Sequence, residues 1–256
     1  MAVLAAEFVK LRSARSTFVV LGLVAVVAAL GLLMAVNGAN AWDEAGSAAD
    51  RRRWEAAGAI EQVFLLPFWQ LCLAVLGALA ITPEYGTGMI RTTLAAVPRR
   101  GAVLAAKAGA VGALTLAAGA AAVAGTHFAV RSVLGDRPFD AYTAPMAETL
   151  PLLAALAASA AAAGLVGLGA GVLLRSTAGA IVTAVALVYA LPMVARFLPD
   201  PWAERVSAVT LTGLPAEVAG TAPDPVLEPA AAGAVLAAYA PAALAAGAVA
   251  LVRRDA

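Results

Sequence analysis

Six apolar runs, at 17–36, 62–82, 108–130, 148–174, 178–198 and 230–252, divide the chain, and polar or charged stretches separate them. Each is close to the roughly 20 residues that an α-helix needs to cross a bilayer core. The third, fourth and sixth runs consist mostly of Ala, Gly, Leu and Val. Small residues let helix backbones approach closely in lipid, where packing drives association. Gly164, Gly167 and Gly171 supply one such face. The pattern predicts an all-α membrane protein with six transmembrane helices in a single domain over 1–256.

The stretches between the runs differ in kind. At 1–16, Val3, Leu4, Phe8, Val9 and Leu11 alternate with Glu7, Lys10, Arg12 and Arg15. That spacing fits either a helix lying in the membrane interface or a charged tail, and both place the N-terminus in the cytoplasm. Residues 37–61 are polar, with Arg51, Arg52 and Arg53 set among acids, and Glu61 ends them. Residues 199–229 carry Trp202, Leu214-Pro215 and Gly220, and they are too broken to cross a bilayer. They form an outer segment, either re-entrant or surface-lying. Residues 83–107 are a basic island in which Arg91, Arg99, Arg100 and Lys107 face one acid, Glu84. Thr87 is placed to cap a short helix over 88–97, because its hydroxyl can accept from a first-turn N–H. Pro98 then ends that helix, having no N–H to continue it.

Composition agrees with the pattern. Of 256 residues, 62% are hydrophobic and 13% charged, with a mean hydropathy of +0.89. Soluble domains are nearer about 45–50% apolar and about 25% charged. The single cysteine, Cys72, excludes an intrachain disulfide and a cysteine zinc cluster. Charge sorts by side: the stretches assigned to the inside carry ten bases against three acids, and the outside carries seven against thirteen. By the positive-inside rule both termini are cytoplasmic. The triplet Arg51–Arg53 runs against that rule, and its acidic neighbours only soften the conflict.

Candidate chemistry is sparse. No G-x-x-x-x-G-K-[ST] phosphate loop appears, nor H-E-x-x-H or G-x-S-x-G. His127, the single histidine, could relay protons or ligate, but without nearby partners it is better explained as a bundle-facing hydrogen-bonder. Phe68 stands near the start of the second run, Tyr189 and Pro192 lie in the fifth, and Tyr239 and Pro241 lie in the sixth. They are candidates for a cargo path through kinked helices, with ordinary packing as the alternative. No run holds an ionisable residue near its middle. Ion-coupled transport usually depends on such groups, so energy is expected from elsewhere.

The ordered run Glu84-Tyr85, Gly88, Arg91, Thr93-Leu94, Pro98-Arg99-Arg100 and Lys107 resembles the cytoplasmic loop of ABC-2-type transporter permeases, actinobacterial ones in particular. The chain departs from it with Met89, where many members carry Thr. The resemblance covers about twenty-five positions; elsewhere only the number and spacing of the spans agree. It implies a cytoplasmic coupling helix between the second and third transmembrane helices, in a multi-pass protein of the bacterial plasma membrane. ATPase coupling would then fall to Glu84, Tyr85, Thr87, Gly88, Arg91, Thr92, Pro98, Arg99 and Arg100. Arg99, Arg100 and Lys107 would meet acidic ATPase surface or anionic lipid, with plain positive-inside anchoring as the alternative. The implied partners are two copies of an ABC ATPase subunit, a second permease copy or paralogue, and the lipid bilayer, with no nucleic acid. This chain would bind no cofactor; ATP and Mg would sit on the ATPase. The implied function is export of an apolar or amphiphilic cargo such as a drug, antibiotic, peptide or lipid. A non-transporting subunit of an immunity or sensory complex is the alternative. An intramembrane enzyme ranks last, for want of paired catalytic side chains.

Overall fold

A computed structural model describes residues 2–97 and 99–253, and every element among them is helical. The N-terminal helix α1 (Ala2–Ser13) breaks at Ala14, where the backbone turns extended, and α2 (Arg15–Glu44) follows. A short helix α3 (Ala48–Glu55) comes next, capped by Ser47, whose hydroxyl accepts from the Asp50 N–H at 3.2 Å. A π-helical turn (Glu61–Leu65) then leads into α4 (Leu66–Leu79). The corner α5 (Thr82–Gly86) and the helix α6 (Met89–Ala96) precede the long α7 (Arg100–Leu134). After α8 (Asp140–Thr143) comes α9 (Met146–Leu174), and then the broken helix α10 (Thr177–Val185), a second π turn (Ala186–Ala190) and α11 (Leu191–Ala195). The chain closes with α12 (Trp202–Ala208), α13 (Leu214–Ala219) and α14 (Pro229–Arg253).

Six helical stretches among the described residues are long and apolar enough to cross a membrane: Arg15–Glu44, Glu61–Gly86, Arg100–Leu134, Met146–Leu174, Thr177–Ala195 and Pro229–Leu251. They match the six runs, with two differences. The first runs eight residues past its apolar stretch, to Glu44, and the third begins at Arg100 within the basic island. Helical hydrogen bonding does not stop where hydropathy does, and polar ends can extend beyond the apolar core.

The bundle is built around α9, buried along most of its length and packed by α4, α7, α10, α13 and α14. Small residues set these distances. A Cβ on Gly167 would collide with the Ala74 carbonyl of α4, and one on Gly77 would collide with the Gly164 carbonyl of α9. No larger residue fits that crossing, which is the close approach that small residues permit in lipid.

Both π turns directly precede a proline. Pro67 and Pro192 cannot donate to the carbonyls four residues back, Val63 and Val188, and the wider turn accommodates their rings. Pro241, by contrast, stays inside an unbroken α14.

The outer segment folds into the bundle. Leu211 and Leu214 are buried with Ala74, Ala162, Ala163, Ala184, Ala232 and Leu236. Gln70 of α4, fully buried, donates to the Leu211 carbonyl at 2.7 Å and to the Ser159 hydroxyl at 2.6 Å. Glu217 accepts from the backbone N–H groups of Val226 and Leu227 and closes the far loop, while Gly220 ends α13 with φ 68°. Part of 199–229 is thus packed into the bundle.

Candidate functional site

At one end of the bundle, α1, the α5–α6 corner and the ends of α7, α9 and α14 meet. A shared apolar cluster of Leu11, Ile81, Ile90, Leu104, Val111, Leu168, Val172 and Leu251 holds these elements together. Gly88 opens α6 with φ 72°, a left-handed geometry that costs glycine little. Here the structure corrects the sequence expectation. Thr87 does not cap the helix; its hydroxyl donates back to the Pro83 carbonyl at 2.8 Å, and α6 starts at Met89 with no side-chain cap. The left-handed turn at Gly88 takes the chain into the helix instead. Pro98 lies outside the described residues.

Glu84, the one acid of the basic island, is not on the surface. Glu84 is 3% exposed, Glu7 4% and Lys107 2%. The Lys107 ammonium donates to Glu7 Oε2 at 2.7 Å, to Glu84 Oε1 at 2.7 Å and to the Ala80 carbonyl at 3.2 Å. That satisfies all three of its donors. Lys10, part-exposed, completes the group at 2.8 Å from Glu7 Oε1 and 3.0 Å from Glu84 Oε1. Burial disfavours the Lys10 charge, but hydrogen bonds and attraction from Glu7 and Glu84 outweigh it and hold its pKa above the ordinary lysine value. Two bases and two acids thus form a balanced hub that joins α1, α5 and α7. Burying ions is costly, and the balance of charge is what makes it tolerable, with Glu84 Oε2 buried but without a partner among the described residues. Glu84 and Lys107 therefore both turn inward, and for Lys107 that is away from the acidic ATPase surface or anionic lipid that the resemblance implies.

What remains outside is the helix they support. Arg91, Thr92 and Arg99 are exposed; the Thr92 hydroxyl is used locally, donating to the Met89 carbonyl at 2.8 Å. Ile90 alone anchors the start of α6 in the core, at 4% exposure. Arg100 is part-buried and donates to the Leu251 carbonyl at 2.7 Å, tying α14 to the start of α7. The Arg175 guanidinium lies 5.4 Å from the centre of the half-buried Tyr85 ring. Tyr85 and Arg100 are thus partly built into the frame, and Arg91 and Arg99 are presented outward.

The candidate path residues are only partly together. Phe68 and Tyr189 meet edge to face, with ring centroids 5.9 Å apart. Tyr189 and Pro192 line a cleft of about 540 Å³ with Pro67, Met193 and Arg196, between the two π turns. Tyr239 is not part of it. Its hydroxyl donates to the Val209 carbonyl at 2.7 Å and fastens α14 to the outer segment.

At the opposite end lies a second buried group that the sequence reading lacks. Glu61 is fully buried and His127 is 1% exposed. His127 Nδ1 stands 2.9 Å from Glu61 Oε1, and the Tyr142 hydroxyl donates to Glu61 Oε2 at 2.6 Å. Burial and the Glu61 charge push the Tyr142 phenol well above its ordinary value. The bundle-facing hydrogen bond expected of His127 is present, but its lack of partners is overturned. Glu61 reads as the last residue of a polar loop, whereas the helical turn starts at Glu61 itself, one residue before the apolar run. The available signal was its position directly before an apolar run. Arg51–Arg53 lie at this end too, on the exposed α3, with Arg51 5.1 Å from the Trp42 ring centre.

No protein-family model matches the chain, and no curated protein matches it. The chain is a multi-pass membrane protein by the length and apolar character of its six helices.

Proposed function

We propose that the chain is the permease subunit of an ATP-driven ABC-2-type exporter of the bacterial plasma membrane, with both termini cytoplasmic. One observation carries this: α6, an eight-residue helix between the second and third spans, presents Arg91 outward while a buried ion-pair hub fixes the corner that bears it. A helix built this way can transmit force from an ATPase into α1, α4 and α7 together. The absence of a phosphate loop in the sequence is consistent with ATP and Mg being held by that separate subunit, present in two copies. A second permease copy or paralogue would complete the assembly.

In this role Arg91, Thr92 and Arg99 contact the ATPase, and Glu84 acts indirectly through the hub. Tyr85, Thr87 and Gly88 shape the corner, and Arg100 braces it. An apolar or amphiphilic cargo such as a drug, antibiotic, peptide or lipid would pass by Phe68, Tyr189 and Pro192, with the 199–229 segment as a re-entrant outer element. The test is Arg91→Glu in the complex reconstituted in vesicles. The variant is expected to insert and fold normally and to lose ATP-dependent cargo movement. Unchanged export in the variant would remove the coupling role. ATP hydrolysis without cargo movement by the wild-type complex would instead favour the alternative, a non-transporting subunit of an immunity or sensory complex.

A further inference from the structure

We propose that Glu61, His127 and Tyr142 form a proton-binding site whose occupancy latches α8 to the joint between the second and third spans. This does not rest on the permease reading. The hydrogen-bond pattern defines the site. The Tyr142 oxygen accepts from the Ile60 N–H at 2.9 Å, so its own proton points to Glu61 Oε2. Glu61 Oε1 has His127 Nδ1 as its partner at 2.9 Å, and the imidazole stacks on the Tyr142 ring with centroids 5.3 Å apart. His127 Nε2 is buried and has no partner among the described residues.

Counting protons gives two states. With the carboxylate ionised and hydrogen on Nδ1 alone, the site is a buried net negative charge and Nε2 is bare. One more proton makes the pair neutral overall. It is then either carboxylate with imidazolium or carboxylic acid with neutral imidazole, and these share one coupled titration. In both distributions Nε2 carries hydrogen, so Nε2 reports occupancy whichever atom holds the shared proton.

No other ionisable group competes closely. The span α2 has none between Arg15 and Asp43, α4 has only Cys72, which neighbours Tyr189, and Glu148 of α9 and Asp140 of α8 are exposed. On α7 itself, Arg131 is turned toward the Ala144 carbonyl at 3.4 Å. An uncompensated buried charge costs more than one N–H lacking an acceptor, so proton uptake strengthens the closed packing. The mechanical link is Tyr142, which binds both Glu61 and the Ile60 backbone from α8. Tyr142 and Ile60 also line a cavity of about 310 Å³ with Trp54, Phe139 and Leu134, which gives α8 room to move when the latch opens.

The chain has one histidine, so nitrogen-15 histidine NMR of the wild-type protein, in lipid nanodiscs and without a histidine tag, reads the site alone. Acidification is expected to convert a bare Nε2 signal into a protonated one in a single step. Over the same range, amide-exchange protection at 140–143, corrected for intrinsic rates, should rise by up to about tenfold per pH unit, the limit for one-proton linkage. His127→Gln should flatten that response. If that variant fails to fold, Tyr142→Phe should leave Nε2 titrating while protection at α8 no longer follows pH. An Nε2 that never changes state would overturn the proposal. So would α8 protection that ignores the titration in wild type, or follows pH undiminished in either variant.

Discussion

The two ends of the bundle each bury a carboxylate with cationic or neutral partners, and they solve the problem differently. At the basic end, Glu7 and Glu84 meet Lys10 and Lys107, charges balance, and the buried ammonium uses all its donors. At the other end Glu61 has one phenol and one imidazole, and Nε2 is left over among the described residues. At the basic end the balance of charge makes a fixed joint, although Glu84 Oε2 is buried without a partner among the described residues. At the other end the carboxylate has no cationic partner until a proton is added, so that cluster can change its proton count. The basic end is thus built as a brace and the opposite end as a device with two states.

Breaking the brace should have the largest effect. Lys107→Met leaves two buried carboxylates sharing a part-exposed Lys10, and should cost about 3–5 kcal/mol, the usual penalty for orphaning a buried charge. Thermal unfolding in detergent would measure it. Adding Glu84→Met to Lys107→Met restores charge balance and should recover most of the loss; a double variant no better than the single would mean that the hub is not held by charge pairing.

Tyr142→Phe is expected to cost about 1–3 kcal/mol, since it strips a donor from Glu61 and an acceptor from the Ile60 N–H. Chemical denaturation of this variant beside the Lys107 variant tests whether the brace is indeed the stronger. Lys10→Ala should cost no more than about 1 kcal/mol, because a part-exposed partner is screened by water. The Lys10 pKa is raised on folding, so its contribution is complete below the unfolded lysine value and fades only as pH climbs through the folded one. Stability of the Lys10→Ala variant relative to wild type should therefore not vary with pH around neutrality.

The smallest effect is spectroscopic. The Tyr142 phenol is pushed up by burial and by Glu61, so its folded pKa exceeds the unfolded value near about 10. Its contribution is complete below that unfolded value and is lost at higher pH. An alkaline ultraviolet titration should find fewer phenolates in the folded wild-type protein than after unfolding, and the share of Tyr142 in that deficit should be missing from Tyr142→Phe.

Much of the architecture was legible from hydropathy. Runs of about 20 apolar residues leave few options, since a backbone in lipid must satisfy its own hydrogen bonds. The position of α6 was legible too: the helix expected over 88–97 is found at Met89–Ala96. Its cap was not. Thr87 could serve either neighbour, and the choice turned on the left-handed Gly88. The exposure of Arg91 and the burial of Glu84 were indistinguishable by pattern. Seven residues separate them, and which one faces the core depends on where Lys107 and Glu7 arrive from elsewhere in the chain. Tyr189 and Tyr239 also looked equivalent, each three or fewer residues before a proline. Only the first lies at a π turn and a cleft.

The sequence by itself determined the six helices long and apolar enough to cross a membrane, the all-helical character and the short helix between the second and third of them. These follow from local rules: bilayer thickness, backbone hydrogen bonding, and the geometries of glycine and proline. The tertiary structure alone decided which charges are buried and with whom. The pairing of Lys107 with Glu7 joins residues 100 positions apart, and that of Glu61 with His127 joins residues 66 apart. No local pattern encodes those meetings; they are set by how closely α9's small residues let its neighbours pack.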